Sequence, residues 1–362
     1  MIVHHYEKEL IVLPPYYLHK KLLQIVPPIL IAIGTTGNAL SFLVMKRHAS
    51  RIPMYSYLCV LSVLDLLVLY VGLLRLWVAQ LWDVDPRNAS NWMCKLVVFL
   101  GYVCSDASVW TIVTVTVERF FAICKPFYLR PVFTSKRFTK LWLFAPIIVF
   151  SAVNCHFFFT VELRTVHNVS LCYSVDSYDF LVHKTWPWID AALYSFVPTI
   201  IISVLNAKIV LQFIRAKKRR KLLKTHEHIS DDSTKRRNNG KTSNRKFTVM
   251  MLMVSMSFLM TTLPNNTVLI ITAVWNDYGT SAENIALFTL IKTVTELLMY
   301  TNHAINFFLY CASGRKFRTQ LVDMCPGSKM SSRYDSDNTL LNVYGSVKST
   351  RNYGIEMKEA RL

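Results

Sequence analysis

Seven apolar runs alternate along the chain with short polar stretches: Leu22 to Met45, Met54 to Ala79, Trp92 to Ile123, Phe138 to Val161, Trp188 to Phe213, Phe247 to Trp275 and Asn284 to Cys311. As a helix rising about 1.5 Å per residue, each is long enough to cross a hydrocarbon core of about 30 Å. Membrane-spanning strands would be about half as long and would alternate in polarity, which these runs do not. The pattern predicts an all-α membrane protein: a seven-helix bundle over residues 22–311, preceded by an amino-terminal segment, 1–21.

The polar stretches sort by charge. Lys46, Arg47 and Arg51 follow the first run; Lys125, Arg130, Lys136, Arg137 and Lys140 follow the third; Lys217 to Lys221 and Lys235 to Arg237 follow the fifth. Excess Lys and Arg marks cytoplasmic loops, whereas the remaining loops, near Asp83, Asp85, Asp176, Asp179, Asp277 and Glu283, are acidic or mixed. The amino terminus is therefore expected outside a plasma membrane. Met1 to Lys21 lacks a basic region followed by an apolar core, so the first run is expected to serve as its own insertion signal.

Beyond the runs, residues 216–244 are expected to form a disordered basic loop, Thr225 to Ser243 being polar and charged. Residues 313–325, starting Gly314-Arg-Lys-Phe-Arg, read as a short amphipathic eighth helix on the inner leaflet. The tail at 326–362 is expected to be disordered. It carries Ser331, Ser332, Ser336, Thr339, Ser346 and Thr350, candidates for phosphorylation by receptor kinases and for arrestin capture.

Composition narrows the class. Apolar residues make up 52% of the chain and charged residues 17%, too few charges for a soluble domain of this size but sufficient where lipid is the solvent. The net charge of +19 lies in the loops, where it suits anionic lipid and a cytosolic partner rather than nucleic acid. Ten glycines and no repeat between the halves argue against a transporter, and no filter motif suggests a channel. No nucleotide loop, metal-ligand cluster or nucleophile constellation points to an enzyme.

Cys94 opens the third run and Cys172 lies between the fourth and fifth, both on the oxidising side, and a disulfide is expected between them. Cys59, Cys104, Cys124, Cys155 and Cys311 read as small hydrophobes. Cys325, just past the basic stretch, is a candidate for palmitoylation, an unmodified cysteine being equally compatible. Asn88-Ala-Ser and Asn168-Val-Ser are glycosylation sequons on outer loops. Asn265-Asn-Thr falls inside a run, beyond a transferase's reach.

Helix rise over the 25 residues from Cys94 to Arg119 comes to about 37 Å, so one helix joins the outer face to the inner. That helix ends in Glu118-Arg119-Phe120, a charged pair that suits an ionic lock. Together with Gly37-Asn38, Leu61-Ser-Val-Leu-Asp65, Cys94, Trp142, Pro198, Phe258, Pro264, Asn306 and Tyr310, in this order and at these depths, it resembles the rhodopsin-like G-protein-coupled receptors from about Leu22 to Cys325. The resemblance implies a ligand-driven switch coupled to a heterotrimeric G protein through Glu118, Arg119, Asn206, Phe258, Pro264, Asn306 and Tyr310. It also implies an allosteric sodium ion among Asn38, Asp65, Ser108 and Asn302. A hydrogen-bonded cluster without an ion would satisfy those groups equally, and His303 is an unusual neighbour for them.

Several positions depart from the family pattern. Glu-Arg-Phe stands for aspartate-arginine-tyrosine and keeps the charge pair. Thr262 stands where tryptophan is common, and Phe258 one turn below is expected to take over its packing. Phe307 replaces a proline and should leave the seventh helix straighter. The seventh run, Thr-Asn-His-Ala-Ile-Asn-Phe-Phe-Leu-Tyr-Cys, and Asn206 look like invertebrate neuropeptide receptors and the FMRFamide-receptor-like group, which implies a peptide ligand. Gly101 occupies the position of the monoamine-receptor aspartate and Tyr300 that of the opsin lysine.

Charged residues in the outer half of the bundle are costly and default to function. Arg75, Lys292 and Glu296 are expected to line a wet pocket with Tyr102, Ser105, Asn265, Asn266 and Tyr300, the alternative being a simple Arg75 to Glu296 pair. Asp106 lies one turn deeper than an amine-binding aspartate and is expected to face the fourth or fifth run.

Overall fold

The computed structural model describes residues 7–49, 53–124, 136–166, 169–226, 233–274 and 281–324. It divides into two units, 1–314 and 315–362. In the first unit a short helix, α1 (Glu7–Val12), precedes α2 (Pro14–His48), the first span. Span two is α3 (Pro53–Val68), a π-helical turn at Leu69–Leu74 and α4 (Arg75–Trp82). Span three is α5 (Asn91–Cys124); span four is α6 (Lys136–Asn154) with the short α7 (Phe157–Thr160). Span five joins α8 (Trp186–Asp190), a π-helical turn at Ala191–Phe196 and α9 (Val197–His226). Spans six and seven are α10 (Ser233–Val274) and α11 (Ala282–Ser313).

Several boundaries differ from the apolar runs. Span one starts eight residues ahead of Leu22 because Pro14 fits a first helical turn, where a missing N–H is no loss. The ammonium groups of Lys20 and Lys21 then sit over the Tyr16 and Tyr17 rings at 5.3 and 5.6 Å, which reconciles charge with helix there. Helix also extends to His226 and resumes at Ser233, covering most of the 216–244 stretch expected to lack order. Lys, Arg and Leu are good helix formers, and no proline interrupts that stretch.

The all-helical expectation needs one addition. Between spans four and five, β1 (Val161–Val166) pairs antiparallel with β2 (Val169–Ser174), with Leu163 opposite Cys172. Alternation and β-branched residues in Val-Glu-Leu-Arg-Thr-Val account for the hairpin.

Six helices are long and apolar enough to cross a membrane among the described residues. Span seven is equally long, but it carries Lys292, Glu296, Asn302, His303 and Asn306, polar groups concentrated where it meets its neighbours. It begins at an N-cap, Ser281, and continues through Phe307 to Ser313. Ile148, Ile200 and Met260, each more than 60% exposed, form part of an apolar outer surface of the kind lipid would cover.

Two cores set the positions of the site. Leu30, Val68, Leu69, Leu73, Cys104, Leu297, Tyr300 and Ala304 bind spans one, two, three and seven. Spans one and seven approach closely at Gly37, where an added Cβ would lie 2.9 Å from the Phe307 Cβ. Cys94, Phe157, Val161 and Trp186 join spans three, four and five to the hairpin, with Tyr102 stacked on Phe157 at 4.6 Å between ring centroids. The second unit contains α12 (Arg315–Val322), the described part of the expected helix at 313–325. Cys325 and the serine- and threonine-rich tail lie outside the described residues.

Candidate functional site

A cavity of about 650 Å³ opens among the spans at the end of the bundle that holds the Cys94–Cys172 disulfide. The disulfide, with Cα atoms 5.4 Å apart, pins β2 to span three, and Cys172, Tyr173 and Ser174 form one wall. Asn88 Oδ1 accepts from the Cys172 backbone N–H at 2.8 Å and Asn91 Oδ1 accepts from that of Leu163 at 3.0 Å, holding the hairpin at both strands. Asn168, the other sequon asparagine, lies outside the described residues.

The expected pocket residues Arg75, Tyr102, Ser105, Asn265, Asn266, Lys292 and Tyr300 all line this cavity, and Glu296 does not. The simple Arg75 to Glu296 pair is corrected: Arg75 donates to Asp85 Oδ2 at 2.8 Å, and Arg87 donates to the same oxygen at 2.7 Å. The loop between α4 and α5 hides this partner from the sequence because it reverses at Asp83, whose φ is 53°, and continues through a 3-10 turn at Pro86–Ala89. Partial burial acts to raise the Asp85 carboxyl. The hydrogen bonds from Arg87 and the charges of Arg75 and Arg87 outweigh it, holding the group below the usual carboxylate range.

The cavity includes residues the sequence reading passed over. Asp190 and Tyr194 of span five line it, as do Arg87 and His183. A lone acid within the fifth apolar run was a signal of the same kind that singled out Arg75 and Lys292. Asp106 faces span four, where its Oδ2 accepts from Asn154 Nδ2 at 2.9 Å.

Below the cavity, Asp65 is fully buried and accepts three hydrogen bonds. Ser108 Oγ donates to Oδ1 at 2.8 Å, His303 Nδ1 meets the same oxygen at 2.8 Å, and Asn306 Nδ2 donates to Oδ2 at 2.7 Å. A carboxylate only accepts, so Nδ1 carries the ring proton. Asn38 Nδ2 donates to the His303 carbonyl at 2.8 Å and ties span one to the cluster. Asn302 is buried beside these groups in sequence, but its Oδ1 finds no partner among the described residues. Protein N–H and O–H donors take three of the about four lone-pair sites of the Asp65 carboxylate, which leaves one for a sodium ion. The partnerless amide oxygens of Asn38, Asn302 and Asn306 are suited to water.

Span three ends in the charge pair: Arg119 Nη2 lies 3.4 Å from Glu118 Oε1, both side chains largely buried. Asn206 Nδ2 donates to Ser255 Oγ at 2.8 Å and links spans five and six at this end. Phe258 is fully buried one turn below Thr262, which is itself buried. Pro264 lies within α10 without ending it, and Tyr310 is fully buried in span seven.

A cavity at one end of seven packed helices, a polar cluster at mid-depth and a buried Glu-Arg pair near the other end together define a multi-pass membrane receptor rather than an enzyme. The chain belongs to the 7 transmembrane receptor (rhodopsin family), whose family model matches residues 37–310. It is 25% identical to a probable G-protein coupled receptor of Caenorhabditis elegans over 90% of this chain and 76% of that one. It is also 25% identical to the mouse thyrotropin-releasing hormone receptor, over 91% of this chain and 86% of the relative. Pig growth hormone secretagogue receptor type 1 matches at 38%, over 30% of this chain and 29% of that receptor.

Proposed function

We propose that this G-protein-coupled receptor binds an extracellular peptide in the disulfide-walled cavity and activates a heterotrimeric G protein at the Arg119 end. The observation that carries the reading is the cavity itself: about 650 Å³, lined by Lys292 and Asp190, neither of whose side chains has a hydrogen-bond or ion-pair partner among the described residues. Sites of 300–1,000 Å³ hold small ligands or the end of a peptide, and charges of both signs suit a peptide's termini and side chains. The hormone and secretagogue receptors among the relatives support this reading, as does the resemblance of span seven to neuropeptide receptors. The basic loops support an amino terminus outside the plasma membrane, and Asn88 and Asn168 would be glycan acceptors on that side. Receptor kinases and arrestin would act on the tail, and Cys325 would take a palmitoyl chain.

The ligand would act by contacting one state of the bundle better than the other. In the resting state Arg119 would be held by Glu118, as the 3.4 Å contact allows; in the active one, with span six displaced, the guanidinium would meet the G protein. A G-protein dissociation assay in transfected cells, screening amidated and free-ended neuropeptides, tests this. A peptide response lost in Arg119→Ala is the expected result. Silence across the library with surface expression confirmed overturns the peptide reading and points to a non-peptide ligand.

A further inference from the structure

The cations and anions of the cavity are unequally matched. Arg75 and Arg87 both converge on Asp85, so each guanidinium is already engaged with an acid, and the trio keeps one net positive charge. Asp190 differs: it ends α8, lines the cavity, and accepts no hydrogen bond and forms no ion pair among the described residues. Lys292 also lines the cavity, on span seven, but no ion pair joins it to Asp190. Behind this wall Asp106 is 2% exposed, its Oδ1 is without a partner among the described residues, and it lies close enough to act on Asp190 electrostatically. Tyr102 and Tyr194 line the cavity with Asp190, and aromatic faces favour a cation.

An acidic side chain at membrane depth is costly without a partner, and none is paired with Asp190 among the described residues. We propose that Asp190 is the recognition site for a basic group of the ligand, a guanidinium or ammonium, which enters between Tyr102 and Tyr194. The assignment rests on the receptor reading above and narrows its ligand to one with a cationic group at its buried end. Lys292 is left to oppose an anionic or carbonyl group elsewhere on the same ligand.

Two measurements on the full-length receptor test it. The first reads G-protein dissociation with a positional-scanning library of tetrapeptide amides and a copy in which citrulline and norleucine replace arginine and lysine. The second reads thermal unfolding of the receptor in lipid nanodiscs with L-argininamide or its neutral isostere L-citrullinamide. Wild type should respond to the basic library at concentrations about tenfold or more below those needed with the neutral copy. Asp190→Asn should erase that difference, and Asp190→Glu, which keeps the charge, should retain part of it. Argininamide should raise the melting temperature of wild type but not of Asp190→Asn, and citrullinamide should raise neither. Equal potency of the two libraries on wild type, or an unchanged preference in Asp190→Asn at matched surface expression, overturns the subsite while leaving a peptide receptor. Silence to both libraries sinks the peptide reading, and the argininamide measurement then decides the subsite alone: Asp190-dependent stabilisation supports it, and its absence overturns it.

Discussion

His303 and Asp65 meet at the centre of the bundle through Nδ1 and Oδ1, 2.8 Å apart and sealed from solvent. The imidazole supplies a hydrogen-bond donor from span seven to the span-two carboxylate that family resemblance would pair with a sodium ion. Replacing sodium chloride by choline chloride should therefore leave agonist potency within about twofold, whereas sodium-dependent shifts of about tenfold would require a reorganised cluster. His303→Ala should lower thermal stability by about 1.5–3 kcal/mol, because Asp65 loses a buried donor. Thermal unfolding in detergent checks the second outcome and dose–response curves in the two salts check the first.

The Glu118–Arg119 contact is long for a hydrogen bond at 3.4 Å, although it is well within ion-pair range. Glu118→Gln removes the counter-charge and should raise ligand-independent G-protein turnover about three- to tenfold, a shift of roughly 1 kcal/mol in the resting equilibrium. Arg119→Ala should abolish turnover at equal surface density. Guanine-nucleotide exchange in membranes from transfected cells reads both.

Asp85 fastens the end of span two to the loop that follows it. Its carboxyl lies below the usual value of 3.8 in the folded protein, so the stabilisation is present above that value and is lost only as pH falls through the depressed folded one. The stability difference between wild type and Asp85→Asn should be constant from pH 8 to about 5 and shrink below about pH 4. A difference that vanished near pH 6 would mean that another group controls the clamp. Melting temperatures of the two proteins across this range make the comparison.

The Cys94–Cys172 bridge closes a loop across 78 positions of sequence. On loop-closure entropy its removal should cost about 4 kcal/mol, though native strain can reduce this. Cys172→Ser should lower surface expression, and the remaining folded receptor should respond poorly to ligand because Cys172 itself borders the cavity. Surface immunolabelling and dose–response measurements separate the two effects.

The spans, the disulfide and the polar positions along spans two, three and seven were legible because lipid imposes long apolar runs and makes each intramembrane polar residue conspicuous. Arg75 shows where such reasoning stops. Its cost at depth was evident, but its partner sits in a loop whose reversal at Asp83 no periodicity encodes. The hairpin was hidden for a related reason: Val161 closed an apolar run, and short strands give a weak signal beside a membrane helix. His303 was visible as an oddity, but only coordinates show that it occupies Asp65. Asp190 carries the same signal as Arg75, a charge inside an apolar run, but two residues past Trp188 it is as easily taken for the polar edge of that run.

At the amino end, Leu10 of α1 is fully buried against Ile285 and Ala286 at the start of span seven. His19 lies nearby along that span, with Nδ1 2.6 Å from Thr293 Oγ1. The leading residues are therefore a clasp across two helices that sit at opposite ends of the chain. An epitope or fluorescent protein used to follow this receptor to the cell surface belongs ahead of α1, and trimming the chain back to Pro14 to simplify purification would remove the Leu10 half of that clasp.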